Sequence, residues 1–139
     1  MSGYKFYLKK QYKKARTGLI KTSLGDVKTP AFMPVATQGA VKSTPINIIE
    51  DIGYEMILSN TYHNILRPGL KTIENFKNLS NFMDWNKPIL TDSGGFQVMS
   101  LSKLRKINKK GVIFQSHIDG SSHELTPENV VETQNIIGS

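Results

Sequence analysis

The sequence predicts an α/β fold in which parallel strands alternate with helices. Three short apolar runs, at about residues 31–36, 55–60 and 88–92, recur along the chain and end in polar or small residues. Segments with a helical period of apolar residues separate them, an alternation typical of βα units around a parallel sheet. The chain has 139 residues, fewer than the ~250 of a closed eight-stranded β/α barrel. We therefore expect one folding unit or a part of one.

The segment ahead of the first apolar run, residues 4–30, is predicted to form a small antiparallel sheet. Polar and apolar residues alternate in it, and Leu24-Gly25-Asp26 has the composition of a hairpin turn. The segment is strongly basic, with Asp26 as its one acid, and a second basic run occupies residues 103–110. A net charge of +7 favours polyanionic partners. Nucleic-acid contact and ordinary solvated surface both stay open as interpretations of the two runs.

Helices are predicted between the apolar runs. Thr44 is a suitable N-cap with Pro45 at the first helical position, and Gly53 is a suitable stop for that helix. Residues 70–76 repeat the amphipathic helical period and lead into an apolar connector over residues 79–85. The predicted order is therefore strand, helix, strand, helix, strand.

The pattern changes after the third run. Residues 112–119 alternate, residues 120–122 can turn and residues 123–125 can return antiparallel, which predicts a β-hairpin inserted into a βα unit. Thr126 then caps a last helix with Pro127 at its first position. The predicted divisions are an antiparallel cap, βα units, an inserted hairpin and a final helix, at residues 1–30, 31–111, 112–125 and 126–139.

Composition excludes several classes of protein. The chain has no cysteine, so it holds no disulfide and no thiolate metal site, and its three histidines show no helical metal-binding spacing. We therefore expect no metal in this chain. No stretch approaches the ~18 apolar residues of a membrane span, and no apolar run follows the N-terminal lysines. We expect a cytoplasmic protein with no membrane partner.

Candidate functional residues follow from the position of active sites in β/α folds, beyond the carboxyl ends of the parallel strands. Polar residues end the three apolar runs at residues 37–39, 59–63 and 91–97. Asp92 is the only carboxylate among them, and two glycines follow it closely. Asp92 fits either a turn residue or a functional carboxylate. The two glycines also fit a phosphate-binding loop. His63 fits either an acid or base or a packed wall residue.

Several long strings in a fixed order resemble the tRNA-guanine transglycosylase family, and its bacterial, queuosine-pathway branch in particular. The similarity runs from about residue 16 to the last residue. The order of several long motifs makes chance agreement improbable. The strings are TPAFMPV at 29–35, NTYH at 60–63, LRPG at 66–69, PILTDSGGFQ at 88–97, and SH with DG within 116–120.

The resemblance implies a fold and an activity. The fold is the N-terminal part of a TIM (β/α)8 barrel with a small antiparallel N-terminal cap and an inserted β-hairpin. The activity is that of a glycosyltransferase, which exchanges guanine at the tRNA anticodon wobble position for a 7-deazaguanine, either prequeuosine base or queuine. The implied partners are tRNA, the 7-deazaguanine and guanine, and the complete protein is expected to be a homodimer. The target base must leave the stack to be reached.

The resemblance also implies a role for each matching residue. Asp92 matches the carboxylate that handles protons on the leaving and arriving bases. A downstream carboxylate would attack the ribose, because a retaining substitution at a glycosidic carbon divides two roles between two carboxylates. Phe96 would pack on the base and Gln97 would bind its polar edge. Val35 and Leu58 fit a pocket wall and a barrel core equally. The remaining pocket residues would be Ser93, Gly94, Gly95 and Asn60.

The chain departs from the family pattern downstream. The nucleophilic Asp, the pocket-completing glycine loop, the basic RNA-binding segment and the Cys-and-His zinc site of the family have no counterpart in residues 1–139. We therefore expect no cofactor in this chain, zinc in the complete family member, and no activity from this chain alone. One alternative is a non-catalytic RNA-binding or assembly subunit of the same family, which the presence of Asp92 disfavours. The other is a small-molecule β/α enzyme whose glycine loop binds phosphate.

Overall fold

The computed structural model describes residues 4–101 and 104–139, which form a mixed α/β arrangement of three small sheets and six helices. The strands are β1 (Lys5–Tyr12), β2 (Ala15–Thr22), β3 (Gly25–Thr29), β4 (Val35–Ala36), β5 (Ile57–Asn60), β6 (Ile89–Asp92), β7 (Arg105–Ile107), β8 (Val112–Gln115) and β9 (Ser122–Leu125). The helices are α1 (Ile46–Asp51), α2 (Thr61–Leu66), α3 (Leu70–Asn75), α4 (Leu79–Met83), α5 (Gly95–Leu101) and α6 (Pro127–Ile137).

The N-terminal sheet is antiparallel in the order β1-β2-β3, which is the predicted antiparallel cap. The β1–β2 pairing has an irregularity between Leu8 and Lys10. The turn between β2 and β3 consists of Ser23 and Leu24, because Thr22 already pairs with Gly25. The turn therefore lies one residue earlier than the predicted Leu24-Gly25-Asp26.

This sheet lies at the amino ends of the parallel strands. The Lys28 ammonium group is 3.2 Å from the Glu55 carboxylate, and the Lys28 backbone N–H donates to the same carboxylate at 2.6 Å. The backbone hydrogen bond from Lys28 is the largest cause that holds the pKa of Glu55 below its usual value. Leu24 shares a cavity with Met56 and Pro88, which directly precede β5 and β6. The carboxyl ends of the parallel strands lie on the other side of the molecule.

The central sheet is parallel, in the order β4-β5-β6, as the three apolar runs predict. Val35 pairs with Leu58, and Leu58 pairs with Leu90. Two residues further along, Asn60 pairs with Asp92. The register therefore aligns the carboxyl ends of β5 and β6, which confirms that Asn60 and Asp92 lie at the same end of the sheet.

The first parallel strand is shorter than predicted. It covers residues 35–36 instead of 31–36. Pro30 precedes the missing part and Pro34 is its last residue, and a proline has no N–H to donate to a strand ladder. The carbonyl of Pro34 still accepts from the Leu58 N–H at 2.9 Å, so the chain already runs beside β5 before β4 formally begins.

The two faces of the central sheet differ, because alternate residues of a strand point to opposite faces. Helices α1, α3, α4 and α6 cover one face. On the other face Val35 is 51% exposed and Leu90 is 40% exposed. In the described residues the sheet is open, so the structure shows βα units but no closed barrel. The core under the covered face comprises Ala36, Ile49, Ile57, Ile73, Leu79, Met83, Trp85, Ile89 and Ile137.

The predicted cap of α1 is wrong. Pro45 occupies the N-cap position and makes no side-chain hydrogen bond, while the Thr44 N–H is used in a turn with the Val41 carbonyl at 3.2 Å. Pro45 has ψ 147, so the helix begins one residue later than the sequence suggests. The predicted stop holds, since Gly53 has φ +92 and its N–H bonds to the Glu50 carbonyl at 2.9 Å.

Three helices were not predicted. The connector at residues 79–83 forms α4, whose N-terminus is capped by Asn78 accepting from the Asn81 N–H at 2.8 Å. Helices α2 and α5 begin at Thr61 and Gly95, within the polar segments at residues 59–63 and 91–97, for which no helix is predicted. Each is one or two turns long and lies in a segment to which no helical period was assigned.

The predicted hairpin at residues 112–125 is part of a three-stranded antiparallel sheet, in the order β7-β8-β9. The added strand, at residues 105–107, comes from the second basic run, of which Lys103 lies outside the described residues. Strand β8 ends at Gln115 because the Ser116 hydroxyl accepts from the N–H groups of the next turn, at 3.1 Å for Ile118 and 3.4 Å for Asp119. The hairpin sheet therefore starts before the predicted division at residue 112.

The last helix begins as predicted. Thr126 accepts from the Asn129 N–H at 3.2 Å, the Asn129 side chain accepts from the Thr126 N–H at 2.8 Å, and Pro127 is at the first position. Helix α6 ends at Ile137, and Gly138, which has φ +84, is its C-cap. Among the described residues, no helix has the length and apolar character needed to cross a membrane.

Candidate functional site

Asn60 and Asp92 form the centre of the candidate site, at the carboxyl ends of β5 and β6. The Asn60 Nδ2 amide donates to Asp92 Oδ2 at 2.5 Å. The Thr61 hydroxyl donates to the Asp92 backbone carbonyl. These contacts follow from the parallel register, which places the last residue of β5 beside the last residue of β6. Two of the predicted site residues are therefore in direct contact.

The second carboxylate oxygen of Asp92 organises the loop that follows. Asp92 Oδ1 accepts from the Gly94 N–H at 2.9 Å, which is the geometry of an Asx turn. The Gln97 Nε2 amide lies 3.5 Å from Asp92 Oδ2 and adds a weak third donor. Asp92 therefore acts as a turn residue in this structure and also presents a half-buried carboxylate at the end of the sheet.

The orientation of the Asn60 amide is set by a second contact. Asn60 is the N-cap of α2, and its Oδ1 accepts from the His63 N–H at 3.1 Å. A carboxamide has one acceptor oxygen and one donor nitrogen, so the capping role turns the nitrogen toward Asp92. The helix cap and the contact with the carboxylate therefore depend on the same side chain.

Gly94 is the position where the loop requires glycine. Its φ is +76, and a Cβ added there would lie 2.7 Å from the backbone nitrogen of Tyr62. Gly95, one residue later, begins α5 with no such conflict, since the nearest atom to an added Cβ would be Ser93 Oγ at 3.5 Å. The Asp92 loop therefore rests directly on the first turn of α2.

The remaining predicted pocket residues surround this centre to different degrees. Val35 and Leu58 lie on the same face of the sheet as Asn60 and Asp92, because the strands are in register and side chains alternate. Phe96 is 77% exposed on α5, so it is free to stack on a ligand, but it is not packed into the centre. Ser93 is exposed, and its hydroxyl is 3.4 Å from the Gly95 N–H.

A cluster of aromatic and imidazole rings beneath the loop was not predicted. Tyr62 is fully buried, and its hydroxyl is 2.8 Å from His117 Nδ1, with the two rings stacked at 13°. Phe114 and His63 also pack against Tyr62, at centroid distances of 5.3 Å and 5.2 Å. Tyr62 and His117 are 55 residues apart. No sequence pattern relates residues this far apart. Tyr62 and His117 occur in two different strings of those that resemble the family.

Gln134 on α6 is a further residue that the sequence analysis missed. Its Nε2 amide donates to the Thr91 hydroxyl at 3.1 Å and lies 3.3 Å from the Asp92 carbonyl. A polar residue on an amphipathic helix is ordinarily assigned to solvent, so no local signal marked it. Helix α6 is thereby attached to the strand that carries Asp92.

The surroundings of His63 disfavour its protonated form. Burial lowers its pKa, the charge of His117 lowers it further, and the charge of Asp92 opposes both effects. His63 Nδ1 is buried and has no hydrogen-bond partner in the structure. A proton on His63 would therefore be poorly solvated.

Acid is expected to destabilise the folded chain through His63. The unfolded chain binds a proton at His63 near pH 6.5, and the folded chain binds one only at lower pH. The contribution of neutral His63 to the free energy of unfolding is therefore present above pH 6.5 and is lost as the pH falls. The measurement is the urea midpoint between about pH 5 and pH 7.5. In His63→Gln the midpoint should fall less with acid than in the parent chain, whereas His123→Gln, the matched control on β9, should follow the parent. Parallel curves for His63→Gln and the parent would assign the effect to another group.

The residues present do not fit a Cys-and-His zinc site. The chain has no cysteine. In the described ranges, 4–101 and 104–139, no group of three or more histidine and acidic side chains could hold a metal ion. We therefore derive no step of the chemistry through zinc.

A cavity in the described part of the chain lies away from Asp92. It has a volume of about 750 Å³ and lies along the outer edge of β6, between the β2–β3 turn and α6. Leu90, Val131 and Met56 contribute apolar surface to it. Asp92 and Asn60 do not line it, so the candidate site is the exposed end of the sheet rather than this cavity.

Comparison with known proteins identifies the family. Residues 11–139 match the family model described as Queuine tRNA-ribosyltransferase. The chain is 52% identical over 139 residues to a queuine tRNA-ribosyltransferase of Rickettsia bellii (strain RML369-C), which covers all of this chain and 39% of the relative. It is 52% identical to that of Rickettsia prowazekii (strain Madrid E), again covering all of the chain and 38% of the relative.

A relative outside Rickettsia gives the same result. The queuine tRNA-ribosyltransferase of Ruegeria sp. (strain TM1040) is 55% identical over 126 residues, which is 91% of this chain and 34% of the relative. The chain thus spans less than two fifths of the length of these relatives. The family match includes all three parallel strands, the Asp92 loop and the hairpin sheet, so the chain belongs to the queuine tRNA-ribosyltransferase family.

Proposed function

We propose that this chain supplies the base-binding and proton-transfer side of a tRNA-guanine transglycosylase. The complete protein would exchange guanine at the wobble position of a tRNA anticodon for a 7-deazaguanine, either prequeuosine base or queuine. The observation that carries the proposal is the contact between Asn60 and Asp92 at the ends of adjacent parallel strands. Active sites of β/α folds form at this end.

Asp92 is the proposed group for proton transfer. Its carboxylate is half-buried and already accepts hydrogen bonds from Asn60 and Gly94, which fix its direction. A fixed carboxylate can take a proton from an arriving base and return one to a leaving base, provided that the base is held within hydrogen-bonding distance. Asn60 is then a positioning residue, since it acts through Asp92.

The base would lie over the exposed face beside this loop. Phe96 offers an exposed ring for stacking, and Gln97 an amide for the polar edge of a purine. Val35 and Leu58 provide an apolar surface on the same side of the sheet. The backbone of the loop after Asp92, at Ser93, Gly94 and Gly95, completes this surface.

The nucleophile would come from the part of the relatives that this chain does not span. A retaining substitution at a glycosidic carbon needs one carboxylate to attack and one to transfer protons. In the sequence, Asp92 is the only carboxylate at the ends of the three parallel strands. We therefore propose that this chain is inactive alone. From the family resemblance, we also propose that the complete protein is a TIM barrel and a cytoplasmic homodimer.

The phosphate-binding alternative is less well supported. A glycine loop binds phosphate through free backbone N–H groups. Here the Gly94 N–H already donates to Asp92 Oδ1, and a carboxylate in that position repels an anion. The presence of a carboxylate at the strand ends disfavours the non-catalytic subunit, although the turn that Asp92 forms would serve either protein.

The test is guanine exchange by a chimera. Residues 1–139 are joined to the part of the Rickettsia bellii relative that follows the matched segment. We expect the chimera to incorporate labelled guanine into tRNA, because this chain then provides the proton-transfer side and the relative provides the nucleophile. The unjoined chain at equal concentration is the control and should incorporate none. A folded chimera that shows no guanine exchange above this control would contradict the proposal.

A further inference from the structure

We propose that one face of the N-terminal sheet binds single-stranded RNA, at a surface separate from the candidate site. The inference goes beyond the proposed base exchange, because it concerns binding by the opposite end of the molecule. We use the name cationic face for the side of β1–β3 that carries Lys5, Tyr7, Lys10, Tyr12, Lys21 and Lys28.

Strand register places these residues on one face. Lys5 pairs with Lys21, Tyr7 pairs with Leu19, and Leu19 pairs with Lys28 on the next strand. Paired residues of an antiparallel sheet point to the same side, as do residues two apart in one strand. Beyond the irregularity in β1, Lys10 and Tyr12 pair with Thr17 and Ala15, which continue the same alternation along β2.

The charges on this face have few partners within the chain. Lys28 forms the only salt bridge found among the described residues, to Glu55. Lys5 and Lys21 lie directly opposite each other, and like charges in that position repel. Asp26, which pairs with Lys21, is the one acid of the sheet. A phosphate between the two strands would relieve the repulsion between Lys5 and Lys21.

Two tyrosines add surfaces on which bases can stack. Tyr12 is 75% exposed and Tyr7 is 40% exposed. Each already has an ammonium group near its ring, Lys13 at 5.6 Å from Tyr12 and Lys21 at 6.0 Å from Tyr7. Exposed rings between cations on the face of a sheet suit unpaired bases joined by phosphates. A duplex hides the faces of its bases, so a single strand is the better fit.

The opposite face of the same sheet argues against a membrane as the partner. Phe6 pairs with Ile20, and Ile20 pairs with Val27, so these large apolar side chains lie on the other side, whereas Leu19 is partly buried on the cationic face. Val27 is fully buried on that other side against the rest of the chain. Surfaces that bind membranes combine cations with apolar side chains that enter the lipid. The cationic face combines cations with tyrosines instead.

The test measures binding of the chain itself to a fluorescein-labelled, single-stranded RNA of about twelve nucleotides by anisotropy, at several salt concentrations. We expect the triple variant Lys5→Gln, Lys10→Gln, Lys21→Gln to lose affinity on the order of tenfold or more, with a salt slope smaller by about two. The double variant Tyr7→Ala, Tyr12→Ala should bind roughly fivefold more weakly or worse, because stacking is lost. Circular dichroism and melting curves verify that each variant is folded.

The matched control removes the same charge elsewhere. The variant Lys106→Gln, Lys109→Gln, Lys110→Gln takes three charges from the second basic run and should keep nearly the parent affinity. Equal loss in the control would show that net charge alone drives binding and would overturn the proposal. So would undetectable binding at low salt, competition by duplex RNA as strong as by the single strand, or stronger binding to phosphatidylglycerol vesicles. Guanine exchange by the chimera and binding of the RNA by the chain itself are measured separately, so failure of the proposed exchange is distinguishable from failure here.

Discussion

Asp92→Asn in the chimera is expected to reduce guanine exchange by ~10² to 10⁴-fold, the usual loss when acid-base capacity is removed. The carboxamide keeps the size of the carboxylate but cannot take up a proton at neutral pH. The measurement is the rate of labelled guanine incorporation into tRNA, compared with the unsubstituted chimera. Because the attacking carboxylate comes from the relative, a slowly formed covalent RNA adduct is still expected in the variant.

The same variant should also lose some stability, for a reason visible in the structure. The Asp92 carboxylate accepts from Gly94 on one oxygen and from Asn60 on the other. A carboxamide has a single acceptor oxygen, and the Asn60 amide cannot rotate to compensate while it caps α2 through His63. One donor is left unpaired, at a cost of about 1 to 3 kcal/mol. The variant therefore melts lower but stays folded.

Exchange and melting together distinguish the two roles of Asp92. A turn residue alone predicts the loss of stability with chemistry largely spared, whereas a proton-transfer residue predicts that exchange collapses beyond what unfolding explains. Asp51→Asn, an exposed residue at the end of α1, is the matched control and should leave both measurements unchanged. Near-normal exchange by folded Asp92→Asn would remove Asp92 from the mechanism.

Gly94→Ala is expected to destabilise the chain by about 2 kcal/mol or more. The left-handed backbone at φ +76 costs an alanine ~1 to 2 kcal/mol by itself. The added methyl group would also lie 2.7 Å from the Tyr62 backbone nitrogen, where no flexible side chain can move aside. Either the loop or the start of α2 must shift, and both shifts separate Gly94 from Asp92. Urea unfolding of the chain and its variants measures the effect.

Gly95→Ala is the matched control for this prediction. Gly95 follows Gly94 directly and receives the same methyl group. It lies in α5, with the nearest atom to an added Cβ at 3.5 Å, and alanine favours a helix by about 1 kcal/mol over glycine. We therefore expect Gly95→Ala to be neutral or slightly stabilising. Equal destabilisation by the two substitutions would mean that the loop does not rest on Tyr62 as the structure shows.

Most of the fold could be predicted from the sequence where the sequence patterns are local. The three apolar runs predicted the parallel strands, since residues buried on both faces of a sheet form continuous apolar stretches. Thr126 and Pro127 predicted the start of α6, because a cap involves residues three positions apart. Helices α2 and α5 were missed because they begin in the polar segments that end the apolar runs, and α4 because residues 79–85 were interpreted as a connector.

Only part of the candidate site could be predicted from the sequence. Asp92 and Asn60 stand at the ends of apolar runs, and parallel strands end at one edge of a sheet, so their proximity could be predicted. The contacts of Tyr62 with His117 and of Gln134 with Thr91 join residues 55 and 43 positions apart. No local pattern encodes such pairs, because they depend on how the hairpin sheet and α6 pack back onto the strands.

The sequence by itself determined the family, the α/β class, the strand ends and the identity of the carboxylate. These rest on short-range order: runs, caps and strings of adjacent residues. Tertiary structure alone decided that Gly94 must be glycine, that the Asn60 amide is turned toward Asp92, and that the lysines and tyrosines of β1–β3 share one face. These depend on positive φ, on hydrogen-bond partners supplied by other elements and on strand register, which packing of the whole chain sets.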